Sequence, residues 1–592
     1  MSARFRCFGR LIAISGLVWM AGCRGVVGSS GGTGSGPVTD SFQLAVTMSG
    51  GGTGTVTSSP TGINCPTTCT ASFSSGTQVT LTATPASNDT FAGWGGACTG
   101  TTTCSVTLTA ASSATATFGG SLQNINHIVI FAQENRSFDH YFGALRDYWK
   151  QNGITDQSFD GLPQFNPTTG TAPLQGPAPA IPGCDPTQPY PASDFCHPDT
   201  SNLITSYHLN SVCQENPSPF WNESHRDWDL NDPAGNSPAA MNGFVATAAD
   251  DARQQSPTLM DTNGLRAMGY FNGDDLNYYY FMATKFGTSD RWFSPVMDRT
   301  QLNRMYLLAA TSGGHVYPIA PPYTQLTEPV IFEELQNAGI TWRIYVDPTN
   351  TSCESDPTSQ CLYNYSYISQ FTYGQAVQAD PVLVQNIVPI TQFTADAQNG
   401  TLPQVSLIEP PSNAGLDEHP SDYDISSPAN VQSGANFASS LINALMTGKN
   451  WSDSVMFFTY DEAGGFYDHV PPQPMPSPDG IKPIDLVPGD ICDSATTTGG
   501  KTCDFTYTGF RVPLLVISPY SVPNFVSHQV RDYTAILKFI ETRFNVAALT
   551  KRDAAQVDMS EFFDFVNKPY ATPPTPPAQN MAGQCTLTPP SL

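Results

Sequence analysis

His127-Ile128-Val129-Ile130-Phe131-Ala132-Gln133-Glu134-Asn135-Arg136-Ser137-Phe138-Asp139-His140-Tyr141-Phe142-Gly143 begins as a nearly unbroken apolar run and turns abruptly polar. A short run of this kind, rich in β-branched and aromatic residues, fits a strand covered on both faces. The same pattern returns at Trp342–Val346, Val405–Ile408, Ser454–Thr459 and Pro513–Ile517, with helical stretches at 433–447 and 529–544. Strands alternating with helices predict an α/β domain built on a mostly parallel sheet flanked by helices. In such sheets ligand chemistry gathers beyond the carboxyl ends of the strands. Two strands run straight into acids and amides there: the first into Glu134-Asn135, the second into Tyr460-Asp461-Glu462-Ala463-Gly464-Gly465.

Burying Glu134, Asp461 and Glu462 at strand ends is costly unless a cation or several donors compensate. Oxygen ligands converging from separate strands suit a hard divalent cation. Such an ion activates a hydroxyl and draws charge off a phosphoryl oxygen.

Toward the N-terminus the character changes. Residues 42–119 carry Thr/Val alternations such as Gln78–Thr84 between Gly, Pro and Asn turns, which predicts a small all-β domain. Residues 24–41 read as a Gly/Ser/Thr tether. Residues 1–23 read as an export signal: Arg4, Arg6 and Arg10 precede the apolar run Leu11–Met20, which ends in Met20-Ala21-Gly22-Cys23. That ending resembles a lipoprotein cleavage box, so Cys23 is the expected lipid attachment point and membrane tether. The tail, residues 571–592, is Pro-rich and predicts extended chain.

The 592-residue chain holds 25 Lys+Arg against 50 Asp+Glu, a formal net charge of −25. That balance argues against a nucleic-acid partner and against electrostatic docking on anionic lipid. Beyond Cys7 and Cys23, the remaining cysteines pair by proximity as Cys65/Cys69, Cys98/Cys104, Cys184/Cys196, Cys353/Cys361 and Cys492/Cys503, leaving Cys213 and Cys585 to join across the chain. Such usage fits an oxidising compartment. The first four cysteines also admit a zinc site.

Two resemblances sharpen these expectations. The segment with Gly54-Thr55-Val56, Gly62-Ile63-Asn64-Cys65, Phe91-Ala92-Gly93-Trp94 and Ala114–Phe118 resembles the bacterial InlB-type B-repeat domain, which implies a spacer or adhesive module. Residues 124–548 resemble the bacterial phosphoesterase family of phospholipases C and acid phosphatases, within the alkaline-phosphatase-like superfamily. Glu134–Gly143 looks like its opening signature. Met241–Val245, Thr300–Leu307, Asp417–Pro420, Asp461–Gly465 and Arg511–Tyr520 follow in the family's order. The catalytic domain is placed at 120–570. The resemblance implies a divalent metal held by Glu134, Asn135, Thr300, Asp461 and Glu462, with Thr300 as nucleophile and His225 and His419 as phosphate contacts. It implies hydrolysis of a phosphoester, foremost a phosphatidylcholine-like lipid. The alternatives are an acid phosphatase acting on small phosphomonoesters and a surface-binding protein with weakened catalysis.

The chain departs from the family pattern in several places: Ala463 replaces a His, Leu302 a Pro, Asp298-Arg299 a Gly-Pro, and Tyr533 a His. Plainer readings also exist. Thr300 fits a helix cap, Glu134-Asn135 a turn, and Tyr278-Tyr279-Tyr280 core packing in place of a choline cage.

Overall fold

The structure, a computed structural model, describes residues 40–87, 89–168, 170–175, 204–235, 237–255, 259–319, 326–420, 430–493 and 500–586. The leader with Cys23, residues 24–39 of the tether and the Cys184/Cys196 pair lie outside the described residues.

Eight strands come first: β1 (Ser41–Ser49), β2 (Gly54–Ser59), β3 (Asn64–Cys65), β4 (Thr70–Ser74), β5 (Gln78–Pro85), β6 (Thr90–Gly96), β7 (Cys104–Thr107) and β8 (Ser112–Gly119). They form two four-stranded sheets, β4-β1-β8-β6 and β3-β2-β5-β7. Period-2 alternation turns Leu44, Val46, Val56, Val79, Leu81, Trp94, Ala116 and Phe118 into one buried cluster. Cys65–Cys69 and Cys98–Cys104 are disulfides, which removes the zinc alternative. The module meets the C-terminal part of the chain through Gly51 N–H donating to Val566 O and Gly120 N–H to Phe565 O, both at 2.7 Å.

The larger part is mixed α/β. Its six-stranded sheet uses β9 (His127–Gln133), β10 (Trp342–Val346), β11 (Ile387–Pro389), β12 (Val405–Ile408), β13 (Ser454–Tyr460) and β14 (Leu514–Ile517) in the order β11-β10-β12-β9-β13-β14. Every neighbouring pair is parallel except β13 with β14. β9 and β13 are neighbouring interior strands, buried almost from end to end, as their unbroken apolar runs require. Each Val, Ile or Phe buried there contributes about 1.5–3 kcal/mol, an upper figure. Tyr278, Tyr279 and Tyr280 are all buried in this core, so the packing reading holds for them.

The register between the central strands places the site. Gln133 lies opposite Tyr460, and Asp461 N–H donates to Gln133 O at 3.1 Å. Glu134 and Asp461 therefore leave the sheet side by side at its carboxyl end. Cys213–Cys585, Cys353–Cys361 and Cys492–Cys503 close the loops around this core.

Candidate active site

Glu134 and Asn135 turn out of β9 and lead into a short helix, α1 (Phe138–Phe142), capped by the Ser137 side chain. Asn135 adopts a left-handed φ of 58°, a conformation Asn tolerates well. That turn aims its N–H at Asp461 Oδ1, 3.0 Å away. Its carbonyl is packed so closely by Gly464 that a Cβ there would stand 2.4 Å from Asn135 O, and Gly464 itself has φ 72°. Glycine is needed at this crossing for both reasons.

Among the other helices, α2 (Trp221–Trp228) carries His225 and α3 (Thr300–Ala309) carries Thr300, two of the predicted site residues. Thr300 is the first residue of α3. Its hydroxyl does not cap the helix. It donates to Glu134 Oε2 at 2.9 Å and lies 3.1 Å from Asn135 Oδ1. The N–H groups of the first helical turn lack helix partners and carry partial positive charge. His419 closes the group: its Nε2 faces Asn135 Nδ2 at 3.2 Å, and its Nδ1 stands 3.7 Å from both Glu134 Oε2 and Asp417 Oδ2. Glu134, Asn135, Arg299, Thr300, Phe220 and His419 line a cavity of about 340 Å³.

Arg304, one helical turn beyond Thr300 on the same face of α3, donates to Glu134 Oε1 at 2.9 Å and stands 3.6 Å from Asp461 Oδ2. Burial opposes its charge, but Glu134 and Asp461 outweigh that and hold it protonated. Burial, and then the Asp461 carboxylate, push Glu134 well above the usual carboxylate range, with Arg304 pulling the other way. Glu462 is raised for the same first two reasons.

The predicted residues are thus not gathered equally. Glu134, Asn135, Thr300, His419 and Asp461 form one hydrogen-bonded group. Glu462 is near in space, but its side chain lines a smaller neighbouring cavity with Asp298, Ser224 and Ala463. His225 is left out. It sits fully buried in α2, with Nδ1 2.7 Å from Trp221 O and Nε2 3.3 Å from Thr502 O. Its ring packs on Trp221, and burial lowers its pKa to about 4. Sealed against main-chain carbonyls, the ring does not line the cavity and makes no hydrogen bond to the group around Thr300 among the described residues. Two residues without a predicted role belong to the assembly. Arg304 could have been found from its i+4 spacing to Thr300. Glu418 could not: three tyrosine hydroxyls, of Tyr141, Tyr279 and Tyr460, donate to its buried carboxylate, and its carbonyl accepts from Arg136. That cage anchors the chain beside His419.

Of the three buried carboxylates in this region, Glu134 and Asp461 face one guanidinium, that of Arg304, and Glu462 lies beside them. Asp461 Oδ2 and Glu462 Oε1 have no hydrogen-bond partner among the described residues. An excess of hard oxygen donors with orphaned lone pairs fits a divalent cation. A second acidic group, Asp139, Asp468 and His469, brings its potential ligand atoms within 4.8 Å of one another. Arg511 already fills it, donating to Asp468 at 2.8 Å and Asp139 at 3.1 Å.

Comparison with known proteins gives the family to which this chain belongs. Residues 125–547 match the Phosphoesterase family, and residues 44–121 match the Divergent InlB B-repeat domain. The chain belongs to the phosphoesterase family and is a hydrolase of phosphoester bonds. Within that family it is similar to phospholipase C B of Mycobacterium tuberculosis, 31% identical across 78% of this chain and 81% of the relative. It is also similar to the non-hemolytic phospholipase C of Burkholderia pseudomallei, at 29% over 72% of this chain and 56% of that one. The non-specific phospholipase C1 of Arabidopsis thaliana matches at 27% over 75% and 72%.

Proposed function

We propose that the chain is an exported, metal-dependent phospholipase C-type hydrolase with an alkaline-phosphatase-like catalytic sheet, in which Thr300 is the nucleophile. The observation that carries this reading is the Thr300 hydroxyl, held at 2.9 Å from Glu134 and 3.1 Å from Asn135 on the wall of the cavity. Glu134, Asn135, Thr300 and Asp461 would hold a divalent cation, with Glu462 beside them. The ion, when bound, supplies charge neutralisation and lowers the cost of ionising a hydroxyl.

The chain's own residues do the rest. The Thr300 oxygen attacks phosphorus in line with the leaving alcohol, and its proton departs toward the carboxylate side, where Glu134 Oε2 is its acceptor. The first-turn N–H groups of α3 face the developing phosphoryl charge. His419 supplies a proton to the departing oxygen, so the alcohol leaves neutral and phosphothreonine remains. Water then attacks that phosphorus, freeing Thr300 and the phosphorylated head group. Export and a lipid tether at Cys23 are proposed with it, because both bring the site to a membrane surface. No helix among the described residues is long and apolar enough to cross a membrane.

The test uses the purified chain with bis-p-nitrophenyl phosphate and p-nitrophenyl phosphate, with and without chelator. Diester turnover that the chelator abolishes is the expected result. Turnover of the monoester alone supports an acid phosphatase. Turnover of neither, after metals are added back, supports a surface-binding protein with weakened catalysis.

A further inference from the structure

The wall beside Thr300 carries a cation that the proposed chemistry leaves unused. Arg299 immediately precedes the nucleophile and lines the same cavity. Its guanidinium carbon lies 3.8 Å over the ring of Phe220 and 5.4 Å from that of Tyr317. Phe220 is 40% exposed and lines the cavity too, so it is an aromatic face that an incoming group can reach. Such a face is what a quaternary ammonium seeks. Here the protein's own cation already occupies the side of the ring that faces Arg299.

The guanidinium is also unspent. It donates no hydrogen bond to another described residue, and its Nε is buried without an acceptor. The nearby carboxylate oxygen, Asp298 Oδ1, stands 3.8 Å from Nε and accepts from the Arg299 backbone N–H at 2.8 Å. Arg304 is committed to Glu134. Among the described residues lining the cavity, no other Lys or Arg is present. An arginine stacked flat on a ring, with its N–H edge uncommitted, is built to receive an anionic oxygen.

We propose that Arg299 makes this cavity select phosphoesters whose head group carries an anion of its own and turn away choline-type head groups. This rests on the hydrolysis proposed above and departs from the expectation of a phosphatidylcholine-like substrate. A choline would lose the ring face and meet a like charge in its place.

The test separates binding from turnover. Phosphoglycolate and phosphocholine share a phosphomonoester and differ in the charge beyond it. Titrated calorimetrically into the full chain, phosphoglycolate binds about tenfold more tightly. Arg299→Gln brings the ratio to about one, while Arg299→Lys keeps the order. Phe220→Ala, which removes the seat and keeps the charge, narrows the ratio. Equal or tighter binding of phosphocholine by the wild type, or a ratio unchanged in Arg299→Gln, overturns the proposal. These outcomes stand even if no ester is turned over, a result that would sink the hydrolysis alone. Vesicles of phosphatidylcholine doped with cardiolipin then distinguish the source of the anion. Diacylglycerol-type products from cardiolipin indicate a lipid head group. Turnover confined to p-nitrophenyl phosphoglycolate indicates a soluble ester. Preferential cleavage of phosphatidylcholine refutes the selection.

Discussion

Two acidic groups lie only a few residues apart on the same two chain segments, and they are finished differently. Around Thr300, Glu134 and Asp461 share one guanidinium, and orphaned carboxylate oxygens remain beside an open cavity. Around Arg511, Asp139 and Asp468 are both met by that guanidinium, and His469 bonds Asp139 at 2.6 Å and Asp160 at 3.1 Å. The second group neutralises itself and stabilises the loops. The first leaves charge uncompensated, a cost in stability that the proposed cation and substrate would offset. Unbalanced charge, more than the number of acids, sets the first group apart from the second.

The comparison can be broken most sharply at Thr300. Thr300→Ala should lower kcat/KM by about a thousandfold or more with the melting temperature nearly unchanged, whereas Thr300→Ser should keep part of the activity. Full turnover in the alanine variant would remove the nucleophile from the mechanism.

The sealed group should respond in the opposite sense. Arg511→Met strands two buried carboxylates and should cost about 3–5 kcal/mol of stability in denaturant unfolding. Turnover per folded molecule should survive. A variant as stable as the wild type would show that Arg511 is not the clamp described.

The pH dependence of stability offers a third contrast. Burial lowers the pKa of His469, but Asp139 and Asp160 outweigh it and raise the pKa to about 9. A folded pKa above the unfolded value of about 6.5 means stability is fully present below that pH and is lost as pH rises toward about 9. The loss should be on the order of 2–3 kcal/mol. Unfolding of the wild type and of His469→Gln across that window checks it, since the variant should lack this component.

The smallest effect is also the most pointed. Glu462 is buried and raised in pKa, and one of its oxygens has no partner. Glu462→Gln should stabilise the metal-free chain by about 1 kcal/mol and reduce the further stabilisation that divalent cations produce. Melting curves with and without cation would show it. A destabilised variant would place Glu462 among the self-neutralised groups.

Much of this was legible in the residues. The apolar runs at 127–132 and 454–459 fit strands covered on both faces, and in a mostly parallel sheet the acids following each emerge at its carboxyl end. The alternation in residues 42–119 was equally direct. The histidines were the least legible. His225 and His419 sit in similarly polar stretches, yet one seals against carbonyls in the core and the other stands 39% exposed on the cavity wall. Nothing local separates them, because a ring's role depends on what packs around it. The role of Arg299 was hidden for the same reason: Phe220 and Tyr317 are remote in sequence and meet it only in the folded chain.

Local composition and period alone determined the strands, the order of the two folded parts, and which side chains had to leave the sheet together. Those depend on short-range sterics and on the burial of apolar runs. Tertiary structure decided which acids find a counter-charge, which histidine reaches the cavity, and that an arginine lies over one side of an aromatic ring. Those outcomes depend on electrostatic and packing partners brought in from distant segments, and Coulomb energy is set by distance in space and not by separation along the chain.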